Sequence, residues 1–257
     1  MALKHFVLVH GACHGAWCWY KLKPLLQNAG HRVTALDMAA SGINPKRIDE
    51  LLTLRDYSEP LIQFLESLPH DQKVILVGHS LGGLNLSTVM EMFHEKIEIA
   101  VFLSAFMPDH QHTPSFIFDK FIEANPEEDF WLDTEFKSSG DPMETLTTMF
   151  FGPKFISKLY HLSSPEDFEL AMTLRRPSSL FAHDAWKPKT KLSEKKYGSV
   201  KRVFVICEED RGIKETFQVW MANNSSVEVE ELKGADHMPM LSMPQNLCDC
   251  LVKIANK

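Results

Sequence analysis

Lys73-Val74-Ile75-Leu76-Val77-Gly78-His79-Ser80-Leu81-Gly82-Gly83-Leu84 is the stretch whose reading decides the fold. Its first part is a short β-branched apolar run, which predicts a buried strand. Its middle, Gly78-His79-Ser80-Leu81-Gly82, fits G-x-S-x-G, and from Leu84 onward the apolar residues recur with a helical period. The pattern alone is weak, because ordinary glycine and serine usage produces it by chance in about one chain in ten. The strand before it and the helix after it give it weight. A serine on a strained strand-to-helix turn projects its hydroxyl beyond the carboxyl end of the strand, and small neighbours let the flanking backbone pass closely. The amide of Leu81, at the start of the helix, then points to where a negative oxygen would form.

Runs of the same apolar kind recur outward from this stretch, at residues 6–9, 33–36, 99–103, 203–207 and, more weakly, 227–232. Segments of helical period lie between and after them, at 17–29, 56–68, 84–93, 216–222 and 244–255. In the second of these, Tyr57, Leu61, Phe64, Leu65 and Leu68 fall on one stripe. Such alternation predicts an α/β fold, a mostly parallel sheet flanked by helices. The alternation stops between about residues 108 and 191. That stretch is rich in Phe, Met, Trp and Pro, has no convincing strand, and reads as short helices at 115–124, 143–150, 154–161 and 165–174. We expect one structural domain, with a core made of 1–107 and 192–257 and a helical cap inserted at 108–191. A separate helical domain is the alternative, but the sheet needs the later strands to be complete.

A serine hydroxyl is almost fully protonated at neutral pH and needs a base. Of the twelve histidines, His237 follows the last strand in Lys233-Gly234-Ala235-Asp236-His237-Met238, which places it at the same sheet edge as Ser80. His79 is expected to face away from the nucleophile. His31, His70, His94, His110, His112, His161 and His183 read as surface residues, and His10 and His14 as loop-packing ones. A carboxylate must orient the base and stabilise its charged form. Asp210 follows the 203–207 strand in Glu208-Glu209-Asp210-Arg211-Gly212 and is the first choice. Asp109, after the 99–103 strand, is the alternative, with Glu208 and Glu209 read as solvated. The loop His10-Gly11-Ala12-Cys13-His14-Gly15 is expected to supply a second oxyanion donor, the amide of Ala12, beside that of Leu81.

Composition sets limits on the rest. The chain has 257 residues, 44% of them hydrophobic and 24% charged, a balance that excludes global disorder. A formal net charge of −7 gives no basic field for nucleic acid. The five cysteines, Cys13, Cys18, Cys207, Cys248 and Cys250, have neither disulfide-framework nor zinc spacing and read as thiols in a reducing compartment. No apolar run is long enough for a membrane span or a signal-peptide core. A cytoplasmic protein without metal or cofactor is expected.

The chain resembles the plant methylesterase and hydroxynitrile lyase family of small α/β-hydrolases, whose order along the chain is nucleophile, acid, histidine. The resemblance is almost end to end. It is carried by His5-Phe6-Val7-Leu8-Val9-His10-Gly11-Ala12-Cys13-His14-Gly15-Ala16-Trp17, by Gly78-His79-Ser80-Leu81-Gly82-Gly83 and by Phe106-Met107-Pro108-Asp109. Phe150-Phe151-Gly152-Pro153-Lys154-Phe155, Tyr197-Gly198-Ser199-Val200 and Ala235-Asp236-His237-Met238 add to it. It implies hydrolysis of a small methyl ester of the methyl salicylate, methyl jasmonate or methyl indole-acetate type by Ser80, His237 and Asp210. It also implies an apolar pocket lined by Phe106, Phe121, Trp131, Phe136, Met149 and Leu180, with Gly11 and Met238 as further substrate-binding positions, and a possible homodimer. The family's lyases with this serine motif carry threonine where this chain has Gly11 and lysine where it has Met238, so the resemblance favours the esterases. An alkaloid-pathway methyl esterase similar to polyneuridine aldehyde esterase, a lyase, and a hormone-binding α/β-hydrolase with little turnover are the alternatives.

Overall fold

A computed structural model describes residues 3–127, 129–139, 146–185 and 187–257. Strands along the described chain are β1 (His5–Val9), β2 (Arg32–Leu36), β3 (Val74–His79), β4 (Ile97–Leu103), β5 (Glu135–Ser139), β6 (Leu146–Phe150), β7 (Ser178–Ser179), β8 (Lys201–Cys207) and β9 (Glu228–Leu232). Six of them form one sheet in the order β2-β1-β3-β4-β8-β9, and every pairing is parallel. β1 and β3 are buried along their whole length, which is why they read as unbroken apolar runs. The edge strand β9 carries Glu228, Glu230 and Glu231, charges that discourage pairing with another chain.

Parallel strands need crossovers, and right-handed crossovers that move in opposite directions put their helices on opposite faces. The step from β1 to β2 runs one way and carries helix Leu22–Asn28, which packs against the last helix, Pro244–Ala255. The steps from β2 to β3 to β4 run the other way, and their helices Glu59–Ser67 and Gly82–Phe93 pack together. The sheet is therefore covered on both faces, and its chemistry is left to the edge where all the strands end.

The chain between β4 and β8 carries helices Phe116–Ala124, Pro153–Leu159, Pro165–Leu174 and Ala182–Ala185. It also carries an antiparallel sheet, β5-β6-β7, which corrects the expectation of a segment without strands. The helix expected over 143–150 is strand β6 from Leu146 onward, and its first residues lie outside the described ones. Leu146, Met149 and Phe150 imitate a helical period, but the adjacent Thr147 and Thr148 are stiff β-branched residues that fit a pleated surface better. Ser138 Oγ meets Thr147 Oγ1 across the β5–β6 pair at 3.1 Å. Buried Asp167 and the Arg176 guanidinium tie the segment to the rest. Lys21 Nζ and Tyr20 OH donate to Asp167 at 2.6 and 2.7 Å, and Arg176 donates to the carbonyls of Gly42, Asn44 and Lys46. No described helix is long and apolar enough to cross a membrane.

Candidate active site

The nucleophile candidate sits where β3 stops. Ser80 has φ of 55°, in the left-handed region that costs a side-chain-bearing residue roughly 1–2 kcal/mol. Its backbone is clamped on both sides. The Ser80 amide donates to Leu103 O at 3.4 Å, and its carbonyl accepts from the amides of Gly83 and Phe106, both at 3.1 Å. The turn presses against β1 so closely that a Cβ on Gly82 would lie 2.7 Å from Val9 O. Glycine is the residue that fits there.

Asp210 leaves the end of β8 and is buried, with each oxygen occupied. Oδ1 accepts the amides of Gly212 at 2.6 Å and Ile213 at 2.9 Å. Oδ2 accepts from Ser104 Oγ, from Gln218 Nε2 at 3.4 Å and from His237 Nδ1 at 2.7 Å. An ionised carboxylate only accepts, so the histidine proton sits on Nδ1 and Nε2 is left with the lone pair a base needs. The loop after β9 that carries His237 is pinned by its neighbour. Buried Asp236 accepts from Met238 N and Ser242 Oγ on one oxygen and from Leu162 N and Ser163 Oγ on the other. Asp109 is committed elsewhere, to the amides of Gln111 and His112, to His112 Nδ1 and to Asn224 Nδ2. It makes no bond to His237 among the described residues.

Ser80 and His237 border one narrow cavity of about 40 Å³, together with Gly11, Ala12 and Leu81. Among the described residues no acceptor takes up the amide of Ala12 or of Leu81. Two free amides beside a strained serine are what an oxyanion needs. A Cβ on Gly11 would stand 2.8 Å from Ser80 Cβ, so that position cannot carry threonine without displacing the serine. Phe106, Phe121, Trp131, Met149 and Leu180 line the cavity, joined by Phe130, Phe151, Phe155 and Leu159, which the sequence reading did not assign. The block Phe150-Phe151-Gly152-Pro153-Lys154-Phe155 held the signal for two of these. Among the described residues, no lining side chain belongs to Asp, Glu, Lys or Arg.

Two expected lining residues are elsewhere. Phe136 is 44% exposed and borders a neighbouring cavity of about 520 Å³, packing edge-on against Trp131 at 5.5 Å ring separation. Met238 is wholly buried in the core and outside the cavity wall, because Asp236 turns the chain there into helix Pro239–Ser242. His79 also departs from expectation. Its ring lies 4.6 Å from that of His237, and its Nε2–H donates to the His237 carbonyl at 2.7 Å. Burial holds the His79 imidazole well below the usual histidine range, so it is neutral. The cysteines are free thiols, and burial pushes Cys13 up to about 12.

A parallel sheet whose serine elbow, buried carboxylate and histidine meet beyond one edge defines a class. The chain belongs to the α/β hydrolase family, which residues 6–249 match. It is 59% identical over 256 residues to salicylic acid-binding protein 2 of Nicotiana tabacum, covering 99% of this chain and 98% of that one. It is 55% identical over 257 residues to methylesterase 1 of Arabidopsis thaliana, covering 99% and 97%. The crystal structure of polyneuridine aldehyde esterase superposes with a TM-score of 0.95 at 50% identity, covering 99% of this chain and all of that one, 100%.

Proposed function

We propose that the protein is a serine carboxylesterase that removes the methyl group from a small, uncharged plant methyl ester. Ser80 Oγ attacks the ester carbonyl while His237 Nε2 takes its proton, and Asp210 steadies the imidazolium that forms. The amides of Ala12 and Leu81 hold the tetrahedral oxyanion. Collapse of that intermediate breaks the bond to the methoxy oxygen, which leaves as methanol with the proton from His237. Water, activated by the same histidine, then attacks the acyl-serine and releases the acid.

The observation that carries the substrate class is the cavity wall, which beyond the serine and histidines is apolar and aromatic and has no Asp, Glu, Lys or Arg among the described residues. An uncharged ester is at home there. The carboxylate product is not, because burying an unpaired charge is costly, and it leaves. Cyanohydrin cleavage would call for a cation beside the leaving cyanide and a hydroxyl at residue 11. Gly11 supplies no hydroxyl, and Met238 is neither cationic nor in the wall. The names of two relatives, a methylesterase and a polyneuridine aldehyde esterase, point to ester hydrolysis as well.

The test is methanol release from methyl salicylate, methyl jasmonate, methyl indole-acetate and a methyl-ester indole alkaloid, with mandelonitrile as the lyase control. One methyl ester should turn over rapidly and lose that turnover in Ser80→Ala. Tight binding of an acid or ester with no methanol release from any substrate would overturn the reading in favour of a binding protein.

A further inference from the structure

The loop after β1 carries two buried histidines that the chemistry above does not use, His10 and His14. His10 Nδ1 lies 2.8 Å from Gly11 O, and its Nε2 lies 3.1 Å from the Met38 amide. A carbonyl only accepts and an amide N–H only donates. The partners therefore fix the ring, with the proton on Nδ1, the lone pair on Nε2 and no net charge. The Gly11 carbonyl and the Ala12 N–H are the two ends of one planar peptide. A donor on that carbonyl fixes the direction in which the N–H points, and by polarising the amide it strengthens the N–H as a donor.

His14 treats the next peptide in the same way. Its Nδ1–H donates to Ala12 O at 2.7 Å, and its Nε2 accepts from Tyr160 OH at 2.5 Å. The ring lies over Trp17 at a centroid separation of 5.2 Å, and the Tyr160 ring lies nearly parallel to it at 5.8 Å, reached through the in-plane Nε2 bond. Burial pushes His14 down to about 3 and lowers His10 as well, so both rings stay neutral at physiological pH. The loop needs such a hold. Cys13 stands at φ of 60°, and Gly11 has no side chain to resist a turn of the Gly11–Ala12 peptide.

We propose that His10 and His14 are positioning residues of the oxyanion hole, each holding the carbonyl of one peptide so that the Ala12 N–H stays directed at the reacting oxygen. This rests on the reading of the Ala12 amide as an oxyanion donor. Met38 and Tyr160 hold the two rings in turn, which links the donor to the segment between β4 and β8.

The test compares His10→Phe, His10→Asn, His10→Gln and Tyr160→Phe in the full chain. The readouts are kcat, KM, thermal midpoint, and inhibition by a trifluoromethyl ketone, which forms a tetrahedral serine adduct, against a ground-state ether analogue. His10→Phe should lower kcat about 10- to 100-fold with KM nearly unchanged, less than the roughly 100- to 1,000-fold that loss of the donor itself costs. Affinity for the ketone should fall in proportion while affinity for the ether stays. Asparagine places its amide near the Nδ1 position and should restore much of the activity, glutamine should not, and Tyr160→Phe should cost a few-fold. A folded His10→Phe with normal kcat and ketone affinity would overturn the proposal, as would equal losses on ketone and ether. Should His10→Phe not fold, equal activity of the asparagine and glutamine variants would do the same. Ser80→Ala separates the two levels: if it is inactive, those results count against the positioning role alone, and if it is active, the parent mechanism fails.

Discussion

The carboxyl edge of the sheet and the aromatic wall above it are held by different forces. At the edge, positions are fixed by directional bonds. Asp210 accepts from Ser104, Gln218, His237 and two amides, and Ser80 is held at a strained φ by the ends of neighbouring elements. In the wall, rings hold rings. Phe121 packs edge-on against Phe106, Phe130, Trp131 and Phe217 at centroid distances of 5.1 to 6.2 Å. In the proposed mechanism the edge sets the reaction and the wall sets the substrate, so changes in the two should separate as kcat effects and KM effects.

The most direct way to break that division is at the serine. Ser80→Ala should lower kcat by about 10⁴-fold or more with ligand affinity retained. Asp210→Asn should come close to it, about 10³- to 10⁴-fold, because an amide cannot select the Nδ1–H tautomer of His237. Single-turnover methanol release checks both. Near-normal turnover in either variant would mean that the edge does not set the reaction. Gly11→Ala tests the same edge more gently. Its methyl would stand 2.8 Å from Ser80 Cβ, so kcat should fall about 100-fold on geometry alone.

The wall should respond in the other way. Phe121→Ala removes a ring that touches four others and should lower stability by about 3–4 kcal/mol, read from urea midpoints. It should raise KM roughly tenfold and change kcat far less. Met149 and Leu180 border both the catalytic cavity and the larger one beside it. Met149→Ala should join the two and move preference toward longer acyl groups by roughly tenfold, the low end of what one methylene gives an apolar pocket. A loss of kcat with no change in substrate preference would place Met149 with the edge instead.

The same division explains what could be read from the sequence. The four central strands β1, β3, β4 and β8 were legible because burial on both faces writes an apolar run, as in Phe6-Val7-Leu8-Val9, whereas the edge strand β9 reads more weakly because three glutamates interrupt it. The elbow was legible because glycines and serine sit between a strand and a helix. Choosing between Asp210 and Asp109 was harder, since both follow strands that end at the same edge. What separates them is contact: one is bonded to His237 and the other serves a turn and Asn224. The wall was legible only in part. β6 pairs with β7 far along the chain, Thr148 with Ser179 and Met149 with Ser178, and nothing local in Leu146-Thr147-Thr148-Met149 announces that partner. Phe136 and Met238 went astray for a related reason, because chemical suitability does not say on which side of a neighbour a ring or thioether comes to rest. His31 reads as a surface residue, yet it is buried against Phe6.

Acid sharpens the comparison by smaller steps. The edge contains three buried histidines that are neutral when folded: His10, His14 and His79. Burial lowers all three, His14 to about 3, against an unfolded value near 6.5. Between those values the unfolded chain binds the protons that the folded chain refuses, so stability falls as pH falls. The contribution is complete above about pH 6.5 and shrinks toward pH 3. Each such histidine contributes a slope of up to about 1.4 kcal/mol per pH unit. Urea midpoints measured between pH 8 and 4.5 should be level at first and then decline below about 6.5. His14→Phe should remove about one proton's worth of that slope, whereas Phe121→Ala should lower the whole curve and leave its slope alone. A level profile down to pH 4.5 would mean that the rings become charged without unfolding. In that case the carbonyls of Gly11 and Ala12 would have to be held by something other than neutral imidazoles.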